Sequence, residues 1–331
     1  MILTRRALGA GFLGAAGLAA VTPGTAFGQK TDTYPARPVT TVVAWAPGGG
    51  TDYVARLLAE QFSKEFGQSF VVENRAGASG TIGHASVARA RPDGYTLLMG
   101  VNSTYAMARH LFPNRGYDDE RSFAPVGKIA TIAAYLCVHR DSPIRSVADL
   151  IAAAKAAPGK MTYASPGAGS SGHLAPELFL KMAGIQVENI TYRGGAPMLQ
   201  AMLAREVDMA FLDVVTVLPY LRSGEMRALA IGSRDRLALT PEIPTVAEAG
   251  VVGFECNTDY ALFAPAQTPE TIIRRLNAGV AAALQAPAVR DKLLANGYVL
   301  QPGTPEEWPA YLATESAKWG DVIRTRGITL E

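Results

Sequence analysis

The stretch "VVAWAPGGGTDYVARLL", Val42 to Leu58, joins an apolar, β-branched run to a helix-period pattern through one proline and three glycines. A strand, a tight turn and a helix in that order form the repeating unit of an α/β fold with a mostly parallel sheet. The glycines strip side chains from the turn. The helix that follows aims unpaired N–H groups and the positive end of its dipole back at it, so the turn is a candidate anion site. The pattern returns at "ASPGAGSSG": Pro47-Gly48-Gly49-Gly50-Thr51 and Pro166-Gly167-Ala168-Gly169-Ser170 both read P-G-x-G-[ST].

Outward from these turns the same alternation continues. Val39 to Ala46, "SFVVENR", "YTLLMG", "KMTYAS", "ENITY" and "MRALAIGS" read as strands. Asp52 to Phe66, "TIGHASVARARPDG", "VADLIAAAKAAPG", "HLAPELFLKMAG" and "PMLQAMLARE" read as helices, several closed by Pro or Gly. The last third is predicted almost wholly helical. Two longer apolar runs, "APVGKIATIAAYLCVH" and "GFECNTDYALFAP", break the alternation and are expected to cross between two domains. Lobe 1 is then residues 29–129 plus 260–331, and lobe 2 residues 130–259, with a ligand cleft and a hinge between them.

Ligands of open α/β sheets collect beyond the carboxyl ends of the strands. That places "AGASGT" (with Ala78 and Ser79), Asn102-Ser103-Thr104 and Tyr192-Arg193-Gly194 beside the two glycine turns. Asp52 is out of character next to an anion. It reads either as a first-turn residue favoured by the helix dipole or as an acceptor that orders the loop or meets an amino or hydroxyl group on the ligand. Trp45 and Tyr260 are candidates for the cleft wall.

Several function classes are disfavoured. The opening "MILTRRALGAGFLGAAGLAAVTPGTAFG" has the build of a cleaved export signal, residues 1–28: Arg5 and Arg6, an apolar stretch of about 15 residues where a membrane span needs roughly 20, then small residues. It holds two of the 31 basic side chains and none of the 29 acidic ones, so the mature chain carries 29 of each. A neutral chain lacks the basic excess that nucleic acid or an anionic membrane surface calls for. The dinucleotide fingerprint fails where Tyr53 replaces its third glycine, and no G-x-x-x-x-G-K-[ST] occurs. Scattered histidines and the absence of CxxC or HExxH argue against a metal, and no cofactor is expected. Neither "GAGSSG" nor "GASGT" is a G-x-S-x-G elbow, which leaves an exported serine hydrolase using Ser170 or Ser171, with His173 nearby, as the competing class. Cys137 and Cys256 are the two cysteines; one disulfide between them and two buried thiols both remain open.

The motifs "YPARPVTTVVAWAPGGGTDYVARLLAEQF", "VVENRAGASGTIGHASVARARPDGYTLLMG", "YASPGAGSSGHLA", "ITYRGGAPMLQAMLAREVDMAF" and "IPTVAEAG", in this order from Tyr34 onward, resemble the Bug family of periplasmic solute-binding proteins, the TctC-type receptors of tripartite tricarboxylate transporters. The resemblance implies a type II periplasmic-binding-protein fold, two α/β lobes joined by two strands. It implies a non-enzymatic, monomeric receptor in the periplasm that holds a small organic acid through backbone N–H groups and serves a membrane permease or a sensor kinase. Carried onto this chain, the two gripping loops are Trp45 to Asp52 (Trp45, Pro47, Gly48, Gly49, Thr51, Asp52) and Ser165 to His173 (Ser165, Gly167, Gly169, Ser170, Ser171, His173). Ala78, Ser79, Asn102, Ser103, Thr104, Tyr192, Arg193 and Gly194 support them. Trp45 stands where the family often has phenylalanine and Tyr260 where tryptophan is common, so the resemblance does not identify the acid.

Overall fold

A computed structural model describes residues 34–329; the expected export signal lies outside them. Among these residues no helix is long and apolar enough to cross a membrane.

The first sheet begins with β1 (Val39–Val43), β2 (Phe70–Asn74) and β3 (Thr96–Val101), all parallel and ordered β2–β1–β3. Helix α1 (Gly50–Phe66) makes the first crossover. It buries Val54, Leu57, Leu58 and Phe62, spaced at helical intervals, and stops at Gly67 in the left-handed region. Helix α2 (Thr81–Ala88) makes the second, shorter than predicted because the chain leaves the helix before "RARPDG".

Everything else hangs on β4 (Phe123–His139), a strand of 17 residues. Its first part pairs antiparallel with β9 (Asn257–Pro265), from Phe123↔Pro265 to Ala133↔Asn257. Its last part pairs with β7 (Met209–Asp213) through Ala134–Cys137 and with β8 (Met226–Ile231) through Tyr135–His139. The two long apolar runs therefore do lie side by side. In the second sheet β5 (Thr162–Ser165) lies parallel to both β6 (Glu188–Thr191) and β7. Helices α4 (Ser171–Ala183), α5 (Gly195–Leu203) and α6 (Val214–Arg222) follow these three strands. Helix α3 (Val147–Ala156) starts on Ser146, whose hydroxyl accepts from the Asp149 N–H.

After β9 the chain adds α7 (Glu270–Gln285), α8 (Pro287–Ala295), β10 (Tyr298–Leu300) and α9 (Trp308–Arg326). Strand β10 is absent from the sequence expectation. Its three residues are too short to show a period, and pairing with Ala130–Ile132 of β4 creates it. Helix α9 touches both sheets. Trp308 and Leu312 pack with Tyr105 and Phe263, while Trp319, Val322 and Ile323 pack with Leu174, Leu178 and Phe179. Arg326 and Lys181 then tie it to α4, through Glu177 at 2.6 Å and through Asp321.

The possible disulfide is corrected by the register. Asn257 faces Ala133, so Cys137 lies about 10 Å further along β4 than Cys256 at the usual strand rise, beyond the roughly 7 Å that a bridge spans. The two side chains also belong to different clusters: Cys137 packs with Tyr135 and Leu212, and Cys256 with Phe211 and Phe254. Both are free and buried. Burial pushes the Cys256 thiol up to about 12 and raises Cys137 too. A thiol reagent is expected to titrate two groups in denaturant without reductant, and neither quickly in the native protein. Trp319→Ala empties the core site shared by α9 and α4, and denaturant unfolding is expected to show a loss of about 3–5 kcal/mol.

Candidate functional site

The first glycine loop is organised by Asp52, in the first turn of α1. The Asp52 carboxylate accepts from the Gly48 N–H at 3.0 Å, from Arg56 at 2.8 and 2.9 Å, and from Asn74 Nδ2 at 2.9 Å. Burial opposes ionisation of Asp52, but the bonds from Arg56, Gly48 and Asn74 outweigh it and hold the carboxyl below its usual range. Asn74 also donates to the Trp45 carbonyl, which pins the loop's other end. Asp52 thus orders the loop, one of its two expected readings. Pro47, Gly48 and Gly49 are exposed, and the first N–H groups of α1, from its cap Gly49 through Thr51, have no partner inside the helix. Gly50 must lack a side chain: a Cβ there would sit 2.7 Å from the Tyr260 hydroxyl and 3.1 Å from that of Tyr298.

The second loop solves the same problem with another residue. The Gly169 N–H donates to His173 Nδ1 at 3.1 Å, one helical turn on, as Gly48 does to Asp52. Burial lowers the His173 pKa and keeps that nitrogen free to accept. The helices begin at caps Gly49 and Ser170, so counted from the proline the second helix starts two residues later than the first. The P-G-x-G-[ST] letters therefore align with an offset from the helix starts. Ser170 donates to the Gly167 carbonyl at 2.6 Å, so neither it nor His173 is engaged with the other as a nucleophile and base would be. Ser165 is buried beneath the loop, and Ser171 and Gly172 open α4.

Between these loops lies a third. Ala78 and Ser79 both have positive φ, 43° and 51°, rare for residues with side chains and stored where surrounding structure enforces them. The Ser79 hydroxyl donates to the Ala168 carbonyl at 3.1 Å, joining a loop of the first sheet to one of the second. The next residue, Gly80, lies at φ 88°, where a Cβ would strike Thr104 at 2.5 Å and the Trp45 ring at 3.4 Å. His84, buried and neutral with its pKa driven down to about 3, donates from Nδ1 to the Gly80 carbonyl.

The supporting residues divide. Asn102, Ser103 and Thr104 are buried; Thr104 donates to the Val101 carbonyl, and Asn102 Nδ2 donates to the Asn257 carbonyl, so this segment ties the end of β3 to the start of β9. The N–H groups of Tyr192 and Gly194 donate to Ser165 and Pro166, tying their loop to the second glycine loop, while Arg193 is exposed. Tyr260 is buried with its hydroxyl at Gly50.

Asp213 and Tyr298 are additions that the sequence reading lacks. Asp213 ends β7 on the same edge where β5 ends at Ser165 and β6 at Thr191. Tyr298 begins β10 opposite Ile132, while Asp213 faces Ala134, and Gly297 packs against Val214. Asp213 is exposed to solvent, while the protein crowded around it disfavours its charged form and pushes its pKa up to about 6. An acid closing the apolar run "MAFLD" is the signal that marks Asp213. Nothing in a three-residue strand marks Tyr298.

Known proteins share this fold. The model of the tripartite tricarboxylate transporter family receptors, TctC, matches residues 54–328. The protein BugT of Bordetella pertussis is 36% identical over 316 residues, covering 95% of this chain and 97% of that protein. R. palustris Rpa4515, solved with adipate, is similar with a TM-score of 0.82 and 38% identity over 89% of this chain and 99% of that one. The periplasmic binding protein BugD follows with a TM-score of 0.80 and 31% identity, over 90% and 100%. The α/β fold expected from the glycine turns is the fold of these periplasmic binding proteins, and the chain belongs to the TctC family of tripartite tricarboxylate transporter receptors, the family of the Bug proteins.

Proposed function

We propose that this chain is an extracytoplasmic receptor that closes two lobes, meeting near residues 130 and 259, on a small organic carboxylate and delivers it to a tripartite tricarboxylate-type permease. The observation that carries the reading is the pair of helix starts at Gly49 and Ser170, each behind a loop whose own N–H is already held by Asp52 or His173. With those donors spent on the loops, the donors left at the helix ends point outward at fixed positions, which suits a planar anion. The adipate bound to Rpa4515 supports the ligand class. The Ser79–Ala168 bond supports a grip made by loops of both sheets.

Calorimetry of the purified protein against mono- and dicarboxylates, adipate and aromatic acids included, is expected to find a ligand of micromolar or tighter affinity. Ser171→Pro tests the grip. Ser171 is the first residue of α4 and Ser170 before it is extended, so proline fits there and removes one N–H. Losing one hydrogen bond to a charged ligand predicts binding roughly 10- to 100-fold weaker with an unchanged melting temperature. Gly49→Trp, at a position whose Cβ meets nothing closer than 3.8 Å, is expected to cover the start of α1 and abolish binding without unfolding the protein. Tight binding that survives both changes overturns the assignment of the loops.

A further inference from the structure

The three parallel strands of the second sheet end side by side. β5 delivers the glycine loop that begins at Ser165, β6 delivers Tyr192 to Gly194, and β7 delivers a single acid, Asp213. Among the described residues no hydrogen bond or ion pair reaches the Asp213 carboxylate, and its helix-cap position is not used as a cap. Its electrostatic neighbours are Tyr260, Tyr298 and Cys256, all buried and none of them a cation. The lysine of β4, Lys128, lies six residues before the Ala134 that faces Asp213 and is paired with Asp259 at 3.2 Å, and Arg193 of the β6 loop is exposed. Tyr260 and Tyr298 also crowd Gly50, at the start of α1, so Asp213 shares one cleft wall with the first gripping loop.

This wall therefore carries groups of opposite character. The starts of α1 and α4 favour negative charge. Asp213 is a carboxylate with no positive partner. A second carboxylate of a ligand placed beside it meets a like charge. A hydroxyl or an ammonium meets an acceptor that nothing else satisfies. We propose that Asp213 is the specificity-determining residue of this receptor, selecting acids whose second polar group donates a hydrogen bond and rejecting acids with a second carboxylate.

The inference rests on the carboxylate reading of the cleft, and the test separates the two. Succinate, γ-hydroxybutyrate and γ-aminobutyrate, with their homologues longer or shorter by a methylene, are titrated at neutral pH into the wild-type protein and into Asp213→Asn. For the chain length that binds best, the wild type is expected to hold a donor-bearing acid at least about tenfold tighter than the matched dicarboxylate. The hydroxy and amino arms show which donor is used. Asp213→Asn is expected to shrink that ratio by about tenfold, chiefly through tighter dicarboxylate binding, and not to lower the melting temperature. A wild-type preference for the dicarboxylate, or a ratio unchanged in Asp213→Asn, sinks the role of Asp213 while leaving a carboxylate receptor standing. If no acid binds either protein, the carboxylate reading falls and this inference with it.

Discussion

The pairing of one strand with partners on both edges and in both sheets is the constraint on which the rest depends. β4 contributes Phe123 to Ala133 to one sheet and Ala134 to His139 to the other, with β9 and then β8 along its length. Its side chains alternate between two cores: Tyr135 and Cys137 face one cluster, Leu136 and Val138 the other. A slip of one residue would exchange those faces and is strongly resisted. The register then fixes where β7 ends and β10 begins, and so places Asp213 beside Tyr298. Most of the binding geometry is in this sense a readout of β4.

The loops show how a chain can order two helix starts, the proposed anion site, through side chains of the helices themselves. Gly48 bonds Asp52 and Gly169 bonds His173, one turn into the helix in each case. One clamp uses a carboxylate stabilised by Arg56 and Asn74; the other uses an imidazole kept neutral by burial. The chemistry differs and the outcome is the same, a loop rigid before any ligand arrives, which lowers the ordering cost of binding.

The fold was legible because its strands and helices have strong periods and its turns carry glycine. α1 shows this best, with Val54, Leu57, Leu58 and Phe62 on one face in both sequence and structure. The glycine loops were legible as candidate sites for the same reason. What the letters concealed is set by tertiary pairing. The P-G-x-G-[ST] echo suggests equivalent loops, yet the helix caps fall at different places in the motif, Gly49 two residues after Pro47 and Ser170 four after Pro166. A disulfide between the two cysteines stays open in the sequence, yet register and facing separate them. Asn74 ends an ordinary strand, and only the approach of Trp45 and Asp52 makes it the pin of the first loop. Tyr298 needs β4 to become part of a strand at all.

The route of the chain through the first sheet governs how the molecule must assemble. β3 lies next to β9, Asn102 bonds Asn257 across 155 positions, and the Tyr105 hydroxyl meets that of Tyr311 across 206. The half that begins the chain is thus closed by residues that come last. Local contacts can form α1 and the β1–β2 pair early, but the apolar face beneath β3 stays uncovered until β9 and α9 arrive. Contacts of such long sequence separation slow folding, because the loop entropy is lost before the packing is gained. A chain truncated before α9 would leave Tyr105 and Phe263 without their cover, so the last helix decides when the apolar face of the first sheet becomes safe from aggregation.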